Sequence, residues 1–241
     1  MCTMRSGLAA TIIAAMLLGA FGCAQREEQA VPPVPGETEY KMVTGFVVDV
    51  NGWLALGRLS YQYHNSSRVS AVGGTPLVLV DKEGLLYYPI PDSVPADIQN
   101  EDLAPYIQSL VEAYGMVVDR GGALGIAIDS VKETEEQFFM VARDVYKDTT
   151  AVKGYVVDLY GWLVEGKRGP NYRKTAQACA VRGVPLVIVD HYNILHYPLV
   201  QDTVASNQNY RLMNMIGREV TVKGIVIERG GAQGIMMQEI M

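Results

Sequence analysis

Hydrophobic and polar positions divide the chain into an apolar N-terminal run, a polar stretch and a long region of short apolar segments. The apolar run covers residues 8–21 and holds no charged residue. Residues 24–41 are rich in Pro, Glu and Gln and show no apolar period. From residue 42 onward, short Val- and Leu-rich segments alternate with Gly, Pro and Asp turns, which predicts a succession of short β-strands.

The same blocks of sequence occur twice at a constant offset of 109 residues. The paired blocks are 45–56 with 154–165, 76–81 with 185–190, 86–89 with 195–198, and 120–123 with 229–232. A single offset that holds across separated blocks indicates a duplicated domain. We assign copy one to residues 42–131 and copy two to residues 152–241.

Each copy predicts the order strand, helix, strand, strand, short helix, strand, strand. The first strand runs into a Gly-Trp-Leu block, and a helix over residues 173–182 of copy two ends before Gly183 and Pro185. The last two strands meet at an Arg-Gly-Gly hairpin, where glycines accept positive φ. Five strands with a helix between the third and fourth predict a mainly β fold with short helices (α+β), namely two tandem OB-like small β-barrels, although other small barrels share this order.

Residues 132–151 form the linker between the copies. Within it, residues 134–145 have the pattern of an amphipathic helix, with Thr134 and Gln137 as a capping-box pair. We expect this helix to pack the two barrels together.

The N-terminus has the pattern of a bacterial export signal. Arg5 and the amine give a basic start, and the apolar run over 8–21 is too short to span a bilayer comfortably. The run ends at Gly22-Cys23, which resembles the bacterial lipobox, although Ala20 stands where Leu is usual. The resemblance implies that residues 1–22 are removed and that Cys23 is lipidated, with residues 23–41 as a flexible tether.

Two further inferences concern processing and location. Ala20-Phe21-Gly22 also resembles an ordinary small-x-small cleavage site, which is the alternative to lipidation. Ala24 is not the Asp that retains lipoproteins in the inner membrane, so an exported protein anchored in the outer membrane is favoured.

Composition and charge narrow the function classes. Hydrophobic residues make up 49% and charged residues 19% of the chain, a globular balance. The net charge of -6 disfavours nucleic acid as a partner. Of three cysteines, Cys2 leaves with the signal and Cys23 is modified, so Cys179 has no disulfide partner within the chain and the core must stabilise the fold.

The segment Asn171 to Pro185 resembles a pattern of small exported bacterial domains: a Cys near the end of the first strand, then His-x-x-Cys-Ala-x-x-Cys-x-x-x-Gly-x-Pro. The resemblance covers each copy nearly end to end and implies a metal or redox ancestry. In copy two, the pattern positions hold Gly161, Tyr172, Thr175 and Cys179. In copy one they hold Gly52, Tyr63, Ser66 and Ser70. Because only one thiol persists, we predict no metal site and no cofactor.

Five residues are candidate ligand or partner contacts: Trp53, Trp162, Tyr63, Tyr172 and Cys179. For the two tryptophans the main interpretation is core packing, and the alternative is a stacking platform for a flat ligand or a sugar. For Cys179 it is a small buried residue on the inner face of a helix, and the alternatives are a redox-responsive thiol or an intermolecular bridge.

No repeated catalytic set accompanies these residues. The three histidines do not repeat between copies, and Asp49 and Asp158 are better explained as hydrogen-bonding a turn or helix start than as catalysts. The sequence therefore predicts a non-catalytic binding or scaffold lipoprotein of the envelope, anchored by lipid and partnered by a protein, as in an accessory subunit of a membrane-associated complex. The alternative is a ligand-, redox- or metal-responsive module, and a hydrolase would need an acid, a base and a nucleophile that do not recur.

Overall fold

A computed structural model describes residues 32–135 and 144–241 and shows two closed five-stranded β-barrels joined to short helices. Barrel 1 consists of β1 (Glu37–Asp49), β2 (Leu77–Asp81), β3 (Leu86–Pro89), β4 (Leu110–Arg120) and β5 (Ala123–Glu133). Barrel 2 consists of β6 (Asp144–Asp158), β7 (Leu186–Asp190), β8 (Leu195–Leu199), β9 (Glu219–Arg229) and β10 (Ala232–Ile240). The predictions of a duplicated domain and of two small barrels are confirmed.

The two barrels share one strand order. In barrel 1 the neighbours run β1-β2-β3-β5-β4, and β4 closes the barrel by pairing with β1. Only β3 and β5 pair in parallel, and barrel 2 repeats this with β8 and β10. Closure gives every strand two neighbours, although residues 37–44 of β1 extend beyond β2 and pair only with β4.

The helices follow the repeat as well. They are α1 (Val50–Leu56), α2 (His64–Val72), α3 (Leu159–Glu165), α4 (Arg173–Val181) and α5 (Asn209–Leu212). Single 3-10 turns add Tyr61–Tyr63, Ala104–Tyr106, Pro170–Tyr172 and Met213–Met215. The α4 helix and the short helical turns before β4 and β9 match the sequence prediction.

The first strand ends shortly before the Gly-Trp-Leu block, but the block itself forms a helix that the sequence pattern did not predict. The strand ends at Asp49, whose side chain accepts a hydrogen bond from the Gly52 N–H and caps α1. Gly57 ends that helix at φ 63°, a left-handed conformation suited to glycine. Because Asp158 and Gly166 delimit α3 in the same way, the Gly-Trp-Leu block is helical in both copies.

The boundaries predicted for the tether and the linker are also corrected. Residues 37–41 of the predicted tether belong to β1, where they pair with residues 115–119 of β4. Asp144 and Val145, the last residues of the predicted linker helix, lie in β6 and pair with β9. In both places cross-strand pairing overrides the local pattern. The rest of that helix from residue 136, the predicted signal 1–22 and Cys23 lie outside the described residues.

The strands β2 and β7 are buried on both faces. In β2, Leu77 and Leu79 join the interior of barrel 1, whereas Val78 and Val80 join a second apolar cluster. That second cluster includes residues of both copies, among them Trp53 and Trp162. The two domains therefore share a core in addition to their own barrel interiors.

Each copy sends groups into the other across this shared core. Helix α1 contacts β8, β9 and β10, and α3 contacts β4 and β5. The Ala205 N–H donates to Ser70 Oγ at 3.0 Å, and the Gln99 N–H donates to the Tyr160 hydroxyl at 2.7 Å. The Val200 N–H donates to Asn51 Oδ1 at 2.9 Å, and Asn51 is the repeat equivalent of Tyr160.

The repeated Arg-Gly-Gly hairpins complete this interface. Arg120 donates through Nε to the Leu163 carbonyl at 3.0 Å, and Arg229 donates through Nε to the Leu54 carbonyl at 3.4 Å. A side chain on Gly121 would collide with the Asn193 carbonyl oxygen in the other domain. Each copy packs its Arg-Gly-Gly hairpin against the other copy, which explains why both copies contain the motif.

We expect Arg120→Ala to destabilise the chain by about 2 to 4 kcal/mol, because the Leu163 and Val164 carbonyls lose their charged donor within a buried interface. Urea unfolding followed by tryptophan fluorescence measures this loss, since Trp53 and Trp162 lie in the shared core. The matched control is Arg218→Ala at an exposed position, expected to change stability by less than about 0.5 kcal/mol. Equal effects of the two substitutions would contradict this role for Arg120.

Candidate functional site

The two predicted tryptophan contacts are core residues. Trp53 is 1% exposed and Trp162 is 0% exposed, and both belong to the cluster shared by the two copies. An indole sealed in this way cannot stack on a ligand from solvent. The packing interpretation is confirmed, and the stacking platform is not supported.

Asp49 and Asp158 act as helix caps, as expected. Each carboxylate accepts from the N–H three residues later at 2.7 Å, which satisfies a donor that the first helical turn leaves unpaired. Both carboxylates are buried, so their second oxygen also needs a partner. Copy one provides that partner, whereas Asp158 Oδ2 has no hydrogen-bond partner among the described residues.

In copy one a hydrogen-bonded chain surrounds the cap. Ser67 donates its hydroxyl to Asp49 Oδ2 at 2.7 Å, and Gln108 donates its amide to Ser67 Oγ at 3.1 Å. The repeat equivalents of Ser67 and Gln108 in copy two are Ala176 and Gly217. Copy two therefore lacks both members of this chain.

In copy two, three positions of the degenerate Cys/His pattern converge on Asp158. Burial of Tyr172 places its hydroxyl near Gly161, where an added side chain would meet that hydroxyl at 2.6 Å and Asp158 Oδ2 at 2.5 Å. The Cys179 thiol lies close to the same carboxylate and lowers its pKa. Thr175, the fourth position, lies with Tyr172 along a surface crevice.

Burial is the main influence on the ionisation of the Asp158 carboxyl. It raises the pKa of Asp158 to about 6. The hydrogen bond from the Gly161 N–H and the neighbouring Cys179 thiol lower the pKa, but only in part. The negative charge of Glu165 raises it further. The Tyr172 hydroxyl beside it has no hydrogen-bond partner among the described residues.

Cys179 has a structural position. It is 0% exposed, and the backbone of Ala96 in the other domain lies close to its sulfur. Ser70, its repeat equivalent, accepts from the Ala205 N–H, the repeat equivalent of Ala96. Burial and the neighbouring Asp158 raise the pKa of the Cys179 thiol to about 12, so little thiolate exists at neutral pH. The buried-residue interpretation of Cys179 is confirmed.

A crevice of about 380 Å³ opens beside Tyr172, between the two domains. Its walls are formed by Pro33, Val94, Pro95, Glu165, Lys167, Arg168, Asn171, Tyr172 and Thr175. Proline, valine and tyrosine provide apolar surface, and two cations and an amide provide polar groups, the mixture typical of a ligand-binding pocket. Lys167 lies 5.6 Å over the Tyr172 ring and 2.7 Å from Glu165.

In copy one, an arginine bridges the two walls that correspond to those of the crevice. Arg58, the counterpart of Lys167, stacks 4.8 Å over the Tyr63 ring. Its guanidinium also donates to the Thr203 carbonyl at 3.0 Å, which connects it to the opposite wall. Tyr63 beneath it is partly exposed, whereas Tyr172, which lines the crevice of copy two, is only 7% exposed.

The N-terminal segment runs along the same crevice. Pro33 forms part of its wall, and the Val34 N–H donates to the Gly166 carbonyl at 3.0 Å. The described part of the chain therefore begins beside the crevice, nine residues after Cys23.

Sequence reasoning found Tyr172 and Thr175 but missed the cations of the crevice. The available signal was a difference between the copies, because Lys167 and Arg168 replace Arg58 and Leu59. Among residues 32–135 and 144–241, no group of His, Cys, Asp and Glu side chains could hold a metal ion. Over the same two ranges, no helix has the length and apolar character needed to cross a bilayer.

Comparison of the chain with protein-family models, with curated proteins and with solved structures finds no match. The candidate site is therefore argued from its own geometry.

We expect Asp158→Asn to stabilise the protein by about 2 kcal/mol at pH 7 and to have little effect at pH 4. The folded-state pKa of Asp158 is raised from 3.8 to about 6, so the folded protein binds this proton more tightly than the unfolded chain. Stability from this group is thus present at low pH and is lost as pH rises from about 4 to above 6. Asparagine remains a good helix cap and carries no charge.

The matched control for this change is Asp49→Asn, measured by urea unfolding at both pH values. Asp49 accepts a hydrogen bond from Ser67 through its second oxygen, so its amide variant loses an acceptor and is destabilised by about 1 kcal/mol at pH 7. A loss of stability in Asp158→Asn at pH 7 would contradict the conclusion that burial makes the charged form of Asp158 unfavourable.

We expect Cys179→Ser to change the free energy of unfolding by less than about 1.5 kcal/mol, because Ser70 occupies the equivalent position in copy one. In a chain that begins at Ala24, Cys179 is the sole thiol, and it should react with a water-soluble maleimide only after unfolding. Fast labelling of the folded protein, measured by mass spectrometry, would revive the redox interpretation.

Proposed function

We propose that the chain is an exported lipoprotein, anchored in the envelope through Cys23, that acts as a non-catalytic binding or scaffold module. Its two OB-like barrels form one body, and the crevice beside Tyr172 is its binding site. The lipobox-like end of the N-terminal run supports export and anchoring. The closed strand order β1-β2-β3-β5-β4 supports the OB-like assignment.

The observation that carries the binding proposal is the difference between the copies at this crevice. The repeated polar residues are engaged in structure: Asp49 and Asp158 cap helices, and Arg120 and Arg229 join the domains. The crevice of copy two, in contrast, is open to solvent, whereas in copy one Arg58 joins the two equivalent walls through its hydrogen bond to the Thr203 carbonyl. A duplicated fold with one bridged crevice and one unbridged crevice is suited to binding a single ligand or partner.

The redox- or metal-responsive alternative receives no support from the geometry. It depends on Cys179, whose thiol is buried and weakly acidic. An accessory role in a membrane-associated complex is consistent with a rigid body whose anchor leaves beside its binding site.

Anchoring is tested by Cys23→Ala in the native host. We expect this variant to lose incorporated palmitate and to leave the membrane fraction in a high-salt wash, because the thiol is the attachment point and salt screens any remaining electrostatic attraction. The control is Cys179→Ser, which should stay in the membrane fraction through the same wash. Retention of Cys23→Ala after the high-salt wash, or a mature Cys23 with a free thiol, would contradict lipidation.

Binding at the crevice is tested by photo-crosslinking in intact cells. A photoreactive residue at Asn171, which is exposed at the rim, should give a discrete adduct that Lys167→Glu removes. The matched control carries the same residue at Gln62, the repeat equivalent of Asn171, where Arg58 closes the site. The same adducts from both positions, or none from either, would remove the crevice as the binding site.

A further inference from the structure

The charge of the molecule is unevenly distributed around the crevice. The whole chain has a net charge of -6, yet residues 166–182 contain five cations and no acid. We name Lys167, Arg168, Arg173, Lys174 and Arg182 the basic face. The equivalent stretch of copy one, residues 57–73, contains only Arg58 and Arg68 as Lys or Arg residues.

Most of this positive charge is not neutralised within the protein. Lys167 pairs with Glu165, but no ion pair to a carboxylate joins the other four cations in the part of the chain that the structure describes. Arg182 is exposed and donates to the Pro95 carbonyl at 3.2 Å. Arg168 is partly buried: it donates to Asn193 Oδ1 at 2.9 Å, and its guanidinium lies 6.0 Å from the Trp162 ring. The exposed cations Lys167, Lys174 and Arg182 are thus the ones available to an external anion.

The position of the N-terminal segment fixes which surface the basic face meets. Pro33 and Val34 lie against the same loop that carries Lys167, so the chain toward Cys23 starts here. Cys23 precedes Pro32 by nine residues, which extend over at most about 30 Å. A lipid on Cys23 therefore keeps this side of the body close to the membrane.

We infer that the basic face binds the phosphates of anionic phospholipid headgroups and seats the crevice on the membrane surface. The inference rests on the proposed anchoring through Cys23. Lysine and arginine near an anionic bilayer are attracted to it within a Debye length, and such a patch adds a second signal to an acyl anchor. The exposed Val181 lies within the same segment and offers an apolar contact.

The nearest acids on the opposite wall limit the strength of this attraction. Asp92 and Asp97 flank Val94 and Pro95 in the sequence, and neither forms an ion pair with the basic face in residues 32–135 and 144–241. The remaining acidic surface of the molecule is repelled by an anionic bilayer, which favours the orientation with the basic face toward the lipid.

Vesicle co-sedimentation tests the inference without the anchor. The chain from Ala24 onward retains every residue that the structure describes, and it is mixed with vesicles of phosphatidylcholine alone or with one quarter phosphatidylglycerol. We expect about tenfold stronger binding to the anionic vesicles at low salt, and loss of this difference at high salt. Equal binding to both vesicles at low salt would overturn the inference.

Two variants of equal net charge locate the surface. Arg173→Glu with Lys174→Glu should weaken anionic-vesicle binding about fivefold or more. The side chains of Arg173 and Lys174 form no ion pair or hydrogen bond among the described residues. Acidic residues are favourable in the first turn of a helix such as α4. The control, Arg68→Glu with Lys82→Glu on copy one, should bind as the unsubstituted chain does. Equal losses would show a net-charge effect and reject the basic face.

A soluble competitor separates a lipid surface from a phosphate site. Glycerol phosphate at millimolar concentration should leave vesicle binding unchanged apart from its ionic strength, matched with sodium chloride. Competition beyond that control would assign the crevice to a free phosphate compound and overturn the choice of a lipid. Because this assay contains no lipidated Cys23, its failure is distinguishable from failure of the anchoring and crosslinking experiments.

Discussion

The structure depends on an apolar surface that neither barrel can cover alone. The strands β2 and β7 are buried on both faces, and the helices α1 and α3 extend from their own barrels onto the opposite one. Burial of these surfaces is the main favourable contribution to the folding free energy of the described residues, in which Cys179 forms no disulfide. The two copies therefore form two halves of one packed unit and are not two independent domains joined by a linker.

This constraint separates what the copies share from what they do not. The shared motifs, including the capping aspartates and the Arg-Gly-Gly hairpins, serve contacts that both halves must make with each other. Most positions outside those contacts have diverged, including the basic face and most of the rim of the crevice, where Tyr172 keeps its counterpart Tyr63. In a molecule of this kind, the comparison of copies points to the binding surface through their differences.

Local pattern and repetition were sufficient to predict the two small barrels, the α4 helix, the hairpin turns and the burial of Trp53, Trp162 and Cys179. The α1 helix was missed although Asp49 and Gly57 mark its ends, because a Val-rich strand leads directly into it. The start of β6 was assigned to a helix because its pairing with β9 spans about 80 residues of sequence. The crevice could not be predicted, since its walls come from both copies and from the N-terminal segment.

The route of the N-terminal segment has a mechanical consequence. Val34 is bonded to the loop after α3, and Gly36 packs on the Arg120 guanidinium that joins the two halves. If the proposed anchor at Cys23 were pulled, the force would reach the seam between the domains first and the β1–β4 ladder only afterwards. The proposed tension from the membrane and the closure of the two halves would then act on the same few bonds.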